Sequence, residues 1–369
     1  MKRRNDISKL LSRYIFWPVV MVFAYVQTMG IFSDIDNLRT EQQKQRESIN
    51  AEMHSFVELQ YLSLKLVEQP MDDMMNYCSN QLVNNYFKNT NNIENANLRS
   101  YMSMLKMDSS LCDIYIINRD GIVVNSTLND DMFIDFSTFG TSHINYLNER
   151  FKNNDYGSPC FYFETPTSRY RKYSYQPTVD GRYIIELGMY STLADSIYLH
   201  SRQIMERIVT ENQNVLDITQ YGLGERPKAY DPEKFFPKNH FSCLYELEEN
   251  GLVELEGKEN GMNVLYNYQY LKCIKPDIYR GIIVGITTVV DINRAKLAPI
   301  IIKHTAMVLI LVVLLLLLIV GVSAKMQSNI GSLLIASRNI ADGVHQEKLP
   351  VEGGNALSHM SVYLNKIME

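Results

Sequence analysis

Two uninterrupted apolar runs limit what this chain can fold into more than any other feature of it. The first, YIFWPVVMVFAYVQTMGIF, extends from Tyr14 to Phe32 without a charge. The second, TAMVLILVVLLLLLIVGVSA, extends from Thr305 to Ala324. Each is close to the roughly 20 helical residues that cross a bilayer core. A cleaved signal peptide has a shorter apolar stretch and a small-residue cleavage site after it, and neither fits the first run. Tyr14, Trp17 and Tyr25 suit a permanent span, because aromatic rings favour the membrane–water interface. Lys2, Arg3, Arg4, Lys9 and Arg13 precede the first run, with only Asp6 against them. The positive-inside preference therefore puts this tail in the cytoplasm. The expected order is a cytoplasmic tail (1–13), a first span (14–32), an extracytoplasmic domain (33–303), a second span (304–324) and a cytoplasmic segment (325–369). Lys303 and His304 are expected at the outer edge of the second span, their stems turned outward.

At 369 residues the chain is long enough for two or three domains. Its formal net charge of -5 supplies no basic field for nucleic acid. The five cysteines (Cys78, Cys112, Cys160, Cys243, Cys273) show no CxxC or Cys/His metal spacing; buried free thiols are their expected state, with a structural disulfide as the alternative in an oxidising compartment. No cofactor is expected. His54, His143, His200 and His240 are scattered without ligand spacing, so neither a metal nor an extracytoplasmic catalytic centre is indicated.

Between the runs the hydrophobic period changes repeatedly. From Asp34 to Val67 there is no Gly or Pro, and Ile35, Leu38, Ile49, Met53, Phe56 and Leu66 recur at helical spacing. Further helical pieces are predicted over Asp72–Lys88 and Ile93–Lys106. LCDIYIINRDGIVVNST (Leu111 to Thr127) reads as a β-hairpin, two β-branched and aromatic runs joined through Asp120-Gly121. A helix over Ser142–Lys152 precedes three strands, Cys160–Thr165, Tyr170–Gln176 and Gly181–Met189. A helix over Leu193–Thr210 then opens a second cycle. Its strands are predicted at Val215–Gln220, Ser242–Glu248, Leu252–Leu255, Asn263–Tyr270 and Gly281–Val290, with an irregular loop at Glu225–Lys238 and a helix cap at Asp291-Ile292-Asn293.

The long first helix, the IYIINRDGIVVNST hairpin and the last strand RGIIVGITTVVDI leading into the second span make this segment resemble the double Cache sensor domains of bacterial receptors. That resemblance implies a distal PAS-like unit over about 67–190 and a proximal one over about 191–292. It also implies a small molecule held in the distal unit. Alternation places Arg171, Tyr173 and Tyr175 on one strand face. A guanidinium there could grip a carboxylate or another small anion, with tyrosines as the wall. Tyr162, Tyr183 and Asp155 are further candidates. Amino-acid-binding members of the family carry a tryptophan in the site; this segment has none, since the only one in the chain is Trp17.

Beyond the second run, Met326, Ile330, Leu333, Ser337 and Ile340 repeat at spacings of 4, 3, 4 and 3, a coiled-coil seam. Asp342-Gly343 closes it. After the connector VHQEKLPVEGG, Leu357, Met360, Leu364 and Ile367 form a second seam. This unit resembles a HAMP domain, with Ile330, Leu333, Ile340, Gly343, Pro350, Leu357, Met360 and Leu364 as its relay positions. Asn329 and Asn355-Ala356 stand where the family carries a proline and an acidic pair. Such seams bury their apolar residues in a parallel four-helix bundle, which implies a homodimer. The expected fold class is thus α+β: PAS-like antiparallel sheets (double Cache) behind a long N-terminal helix, two transmembrane helices and a cytoplasmic HAMP helical coiled coil. The expected role is ligand sensing in a bacterial inner membrane, relayed to an output domain of histidine kinase, diguanylate cyclase, serine phosphatase or chemotaxis type outside these residues. The alternative is a membrane protein that docks a protein partner through its outer domain.

Overall fold

The computed structural model describes residues 12–88, 92–273, 278–292, 294–342 and 356–368. They divide into two compact units, Gln43–Asp291 and the pair Met1–Gln42 with Ile292–Glu369.

In the first unit, two five-stranded antiparallel sheets follow one another along the chain. The first is built from β1 (Cys112–Asn118), β2 (Val123–Ser126), β3 (Tyr162–Glu164), β4 (Arg169–Pro177) and β5 (Tyr183–Tyr190), in the order β2-β1-β5-β4-β3. The second uses β6 (Val215–Leu223), β7 (Pro227–Ala229), β8 (Leu252–Glu259), β9 (Met262–Lys272) and β10 (Gly281–Val289), in the order β7-β6-β10-β9-β8. The two orders are the same once renumbered, so the unit is a structural duplication. Gly121 and Gly181 follow Asp in the tight turns and take positive φ (79° and 63°), a conformation that costs glycine nothing.

Helix α1 (Trp17–Gln81) is the spine that joins the two sheets. Its Ile49, Met53 and Val57 pack with Val215, Ile218, Val284 and Ile286 of the second sheet. Farther along, its Met75 and Cys78, with Leu82 and Val83 of the π-helical turn Leu82–Tyr86 that continues it, pack with Ile114, Ile116, Ile185 and Leu187 of the first. A fully buried aliphatic side chain contributes about 1.5–3 kcal/mol, so this alternating register holds one long helix against both sheets. It also explains why the helix does not break between the two predicted pieces. It runs straight through Pro70, which removes a single backbone hydrogen bond while burial continues on either side. Ile93–Lys106 folds as a 3-10 turn, Ile93–Asn95, followed by α2 (Leu98–Met104). Helix α3 (Thr141–Asn153) covers part of the other face of the first sheet, and α4 (Thr192–Glu211) opens the second cycle.

Four expectations are corrected in this unit. Ser242–Glu248 is not a strand: a 3-10 turn, Lys238–Cys243, passes into α5 (Leu244–Asn250). Cys243 and Leu247 are four apart and both buried against the sheet, while Tyr245 is exposed, so the apolar period is helical rather than alternating. Within the segment expected to be irregular, Pro227–Ala229 forms the short edge strand β7, where a proline is tolerated. Cys160 and Cys273, expected as free thiols, are joined in a disulfide. The lead-in to β3 meets the end of β9 there, a proximity that sequence spacing does not reveal. Cys78, Cys112 and Cys243 are free and buried, as expected. Asp291, expected to cap the next helix, accepts instead from the backbone N–H and side-chain amide of Asn263, both at 2.8 Å. Asn293 lies outside the described residues.

The second unit contains the first part of α1, α6 (Arg294–Ala341) and α7 (Ala356–Met368). α1 and α6 each hold a stretch long and apolar enough to cross a membrane. His304, expected to turn outward, is buried between these helices. Its Nδ1 is 2.6 Å from Gln27 Oε1 and its Nε2 is 3.1 Å from Asp34 Oδ2. Both ring nitrogens thus face oxygen acceptors. Lys303 Nζ donates to the same Asp34 oxygen at 3.2 Å. Gly30 supplies the recess, since a Cβ there would lie 2.7 Å from the His304 ring.

Denatured without reductant, the protein should titrate three thiols, and five after reduction; five before reduction would contradict the pairing. The disulfide closes a sequence separation of 113, so Cys160→Ser with Cys273→Ser should lower stability by about 2–5 kcal/mol.

Candidate ligand-binding site

The register of the first sheet sets out the site in rows on the face opposite α1. Tyr115, Glu186 and Tyr175 stand side by side on β1, β5 and β4. Asp113, Gly188 and Tyr173 form the next row, and Arg171 faces Tyr190 in the one beyond. Strand alternation puts all of these side chains on one face. Gly188 leaves the gap through which the arginine reaches, since a Cβ there would lie 2.8 Å from Arg171 Nε and Nη2.

Arg171 is only 3% exposed. Its Nη2 donates to Asp113 Oδ2 at 2.5 Å and to Tyr115 Oη at 2.9 Å. Its Nη1 donates to Glu164 Oε1 at 3.3 Å. The guanidinium carbon lies 4.6 Å from the Tyr190 ring centre and 5.3 Å from that of Tyr173, within cation–π reach. Glu164 also accepts from the hydroxyls of Tyr173 (2.5 Å) and Tyr190 (2.7 Å). Burial pushes the Glu164 carboxyl up, but these phenol donors and Arg171 outweigh it and hold the group below its ordinary value. Burial likewise pushes Asp113 up, with Arg171 and the Thr127 hydroxyl pulling against it. The buried guanidinium therefore has two carboxyl partners of its own.

Next to this cluster is a cavity of about 580 Å³, within the size range of small-molecule sites. Tyr115, Tyr173, Tyr175 and Glu186 form its floor. Phe136, Phe139 and His143 close one side, and Tyr162 and Tyr279 another. Those two tyrosines stack at 4.7 Å, so a ring carried just after Cys160 meets one from the segment following Cys273. Burial pushes the phenols of Tyr115, Tyr173 and Tyr175 up, so they keep their protons and serve as donors. Burial also pushes Glu186 up, to about 8, against the opposing pull of a Tyr175 hydrogen bond and of Arg171. Its carboxyl is protonated at neutral pH. Burial lowers His143 from its ordinary value, so its imidazole is neutral there as well.

The rim is fastened by Glu225. Its Oε1 accepts from the Ser142 backbone N–H at 2.7 Å and from the Thr141 hydroxyl at 2.8 Å, which caps α3. The loop between β6 and β7 is thereby tied to the helix beside the cavity. Arg226 and Lys228 are exposed at this rim, and Lys228 Nζ donates to Tyr162 Oη at 3.0 Å.

Of the residues picked from sequence, Tyr162, Tyr173 and Tyr175 line the cavity, and Arg171 lies against its floor in the ion-pair cluster. Tyr183 is on the opposite sheet face, where its hydroxyl donates to Glu94 at 2.6 Å. Asp155 pairs with Arg150 at 3.1 Å, away from the cavity. Sequence reasoning missed Glu186, Tyr115, Asp131 and Tyr279. Glu186 did carry a signal: it is a lone acid in IIELGM, in alternation with the glycine that makes room for Arg171. Of the relay positions, Leu333 is buried, Ile330 and Leu364 are half-buried and Met360 is exposed. The side chains of Ile340 and Leu357, and the residues Gly343 and Pro350, lie outside the described residues.

No protein-family model matches the chain, and no curated protein matches it. Among solved structures, the chain is similar to the ligand-binding domain of the Campylobacter jejuni chemoreceptor Tlp3 in complex with L-norvaline, at 16% identity and a TM-score of 0.36, over 66% of this chain and 92% of that one. The sensory domain of the same receptor with isoleucine bound aligns at 15% identity and a TM-score of 0.36, over 69% and 97%. The extracellular domain of the putative histidine kinase rpHK1S-Z16 aligns at 12% identity and a TM-score of 0.36, over 67% and 95%.

Proposed function

We propose that the chain is the sensing and membrane-crossing part of a receptor, built as a double Cache-like domain between two spans and followed by a HAMP-type relay. The observation that carries this reading is the cavity itself: an aromatic pocket of ligand size whose Tyr279 wall stands two residues before β10. β10 in turn leads along the chain into α6. A ligand that favours one packing of these walls shifts the populations of two states, and a displacement of about 1–2 Å along α6 is enough to carry a signal.

The Cys160–Cys273 disulfide supports an extracytoplasmic position for the first unit, since such bonds persist in oxidising compartments. The basic N-terminal tail supports the same topology, with both termini in the cytoplasm. The output domain would follow α7 and be of the histidine kinase, diguanylate cyclase, serine phosphatase or chemotaxis type. An anionic ligand, the kind expected from Arg171, would find its remaining positive partners at the rim in Arg226 and Lys228, because Asp113 and Glu164 already match Arg171.

A homodimer is supported twice. Met360 of the second seam is exposed in the single chain, and α1 presents the exposed stripe Leu59, Leu62, Leu66, Met74 and Tyr77 at near-heptad spacing. The same stripe would suit a different docked protein, which is the competing reading.

A thermal-shift screen of metabolites on the full chain in lipid nanodiscs should find a small molecule that raises the melting temperature, with the gain reduced at least tenfold in apparent affinity by Tyr175→Ala. A saturated screen without a hit, together with a cytoplasmic reporter at Asn250, would overturn the sensor reading. Leu66→Cys should crosslink two copies in the membrane, while Lys65→Cys, on the flank of the helix, should crosslink far less. Equal yields at both positions would remove α1 from the dimer seam.

A further inference from the structure

The charges around the cavity are distributed unevenly, and the imbalance points to a class of ligand. The buried cation beside the floor, Arg171, is matched by Asp113 and Glu164 at 2.5 and 3.3 Å. The acid of the floor, Glu186, is 4% exposed and has no ion-pair partner among the described residues; its neighbour on β4 is the phenol of Tyr175. A second acid, Asp131, reaches the cavity from the segment after β2 and accepts from Tyr115 Oη at 2.9 Å. Around these acids stand the rings of Tyr115, Tyr162, Tyr173, Tyr175 and Tyr279. A buried carboxyl without a cation, walled by electron-rich rings, is the environment in which an ammonium group is attracted both by charge and by the ring quadrupoles. The basic side chains at this site, Arg226 and Lys228, are exposed at the mouth, where water screens them.

We propose that the floor of this cavity binds the positively charged end of an organic cation, an alkylammonium or quaternary ammonium group, with Glu186 as its counter-charge. This rests on the sensor reading above and specifies its ligand. Binding would draw the carboxyl proton off Glu186, since the cation stabilises the ionised form, so one proton leaves for each cation bound below about pH 8. The other groups facing Glu186 are the Tyr175, Tyr115 and Tyr279 phenols, which keep their protons over this range, together with Arg171, Glu164 and Asp131. His143 also lines the cavity, and burial moves its titration to lower pH, away from that of Glu186.

The test uses the full chain in nanodiscs with three matched probe sets: tetramethylammonium, choline and short primary alkylamines; neutral carbon isosteres such as 3,3-dimethylbutan-1-ol; and short carboxylates such as butyrate. Cations are expected to raise the melting temperature where their isosteres do not. Their affinity should climb about tenfold per pH unit from pH 6 to 7 and level off above about 8. Calorimetry in buffers of different ionisation enthalpy should show close to one proton released per cation at pH 6.5. Glu186→Gln, which preserves the shape of the protonated acid, should remain folded, lose at least tenfold in cation affinity and show no proton release. Stabilisation by carboxylates but by no cation overturns the ligand class and leaves the sensor reading standing. Stabilisation by no probe also overturns the class, and the broader metabolite screen then judges the sensor reading separately. Cation binding unchanged in Glu186→Gln would overturn the role of that residue.

Discussion

The pairing of one buried arginine with two carboxyls organises the whole binding face. Arg171 on β4 reaches Asp113 on β1 across the gap left by Gly188 on β5, and Glu164 on β3 closes the other side. Four of the five strands of the first sheet thus meet in one polar cluster. An unpaired guanidinium at this depth would be strongly unfavourable, and leaving it after removing a partner typically costs about 3–5 kcal/mol. Tyr115 accepts a further hydrogen bond from the guanidinium, the phenols of Tyr173 and Tyr190 donate to Glu164, and Tyr115 and Tyr173 also form cavity floor. The network fixes the ring positions and at the same time neutralises the buried positive charge of Arg171. The acid of the floor is left without a cation.

The fold was largely legible because its signals are local. The Asp-Gly turns, the alternating runs around them and the apolar stretches set the hairpin, the meander and the two long helices. What was not legible depended on contacts distant in sequence. The Cys160–Cys273 bond joins segments that sequence alone gives no reason to bring together. Ser242–Glu248 looked like a strand because the local composition is ambiguous; the burial of Cys243 and Leu247 against the sheet decides for a helix. The helical pieces read over Asp34–Val67 and Asp72–Lys88 are one helix through Pro70, because packing on both sides holds it together.

The site was legible by face but not by role. Alternation correctly grouped Arg171, Tyr173 and Tyr175, because that depends only on the period of a strand. It could not show that Asp113 and Glu164 sit on the arginine, since those contacts depend on strand order. Tyr183 falls on the other face by parity, three residues before Glu186 on the same strand. The loop that carries Tyr279 and the rim that Glu225 fastens to α3 come from the second half of the unit, where the sequence held no marker for the cavity.

The central claim is that Arg171 belongs to the protein's own charge network rather than to a ligand. A double-mutant cycle on thermal stability without ligand, with Arg171→Met and Asp113→Asn made singly and together, tests it most directly. Each single change should destabilise by about 3–5 kcal/mol, and the double mutant by much less than the sum, because the second substitution removes the charge that the first left unpaired. A strictly additive cycle, or an Arg171→Met protein as stable as the parent, would contradict the account.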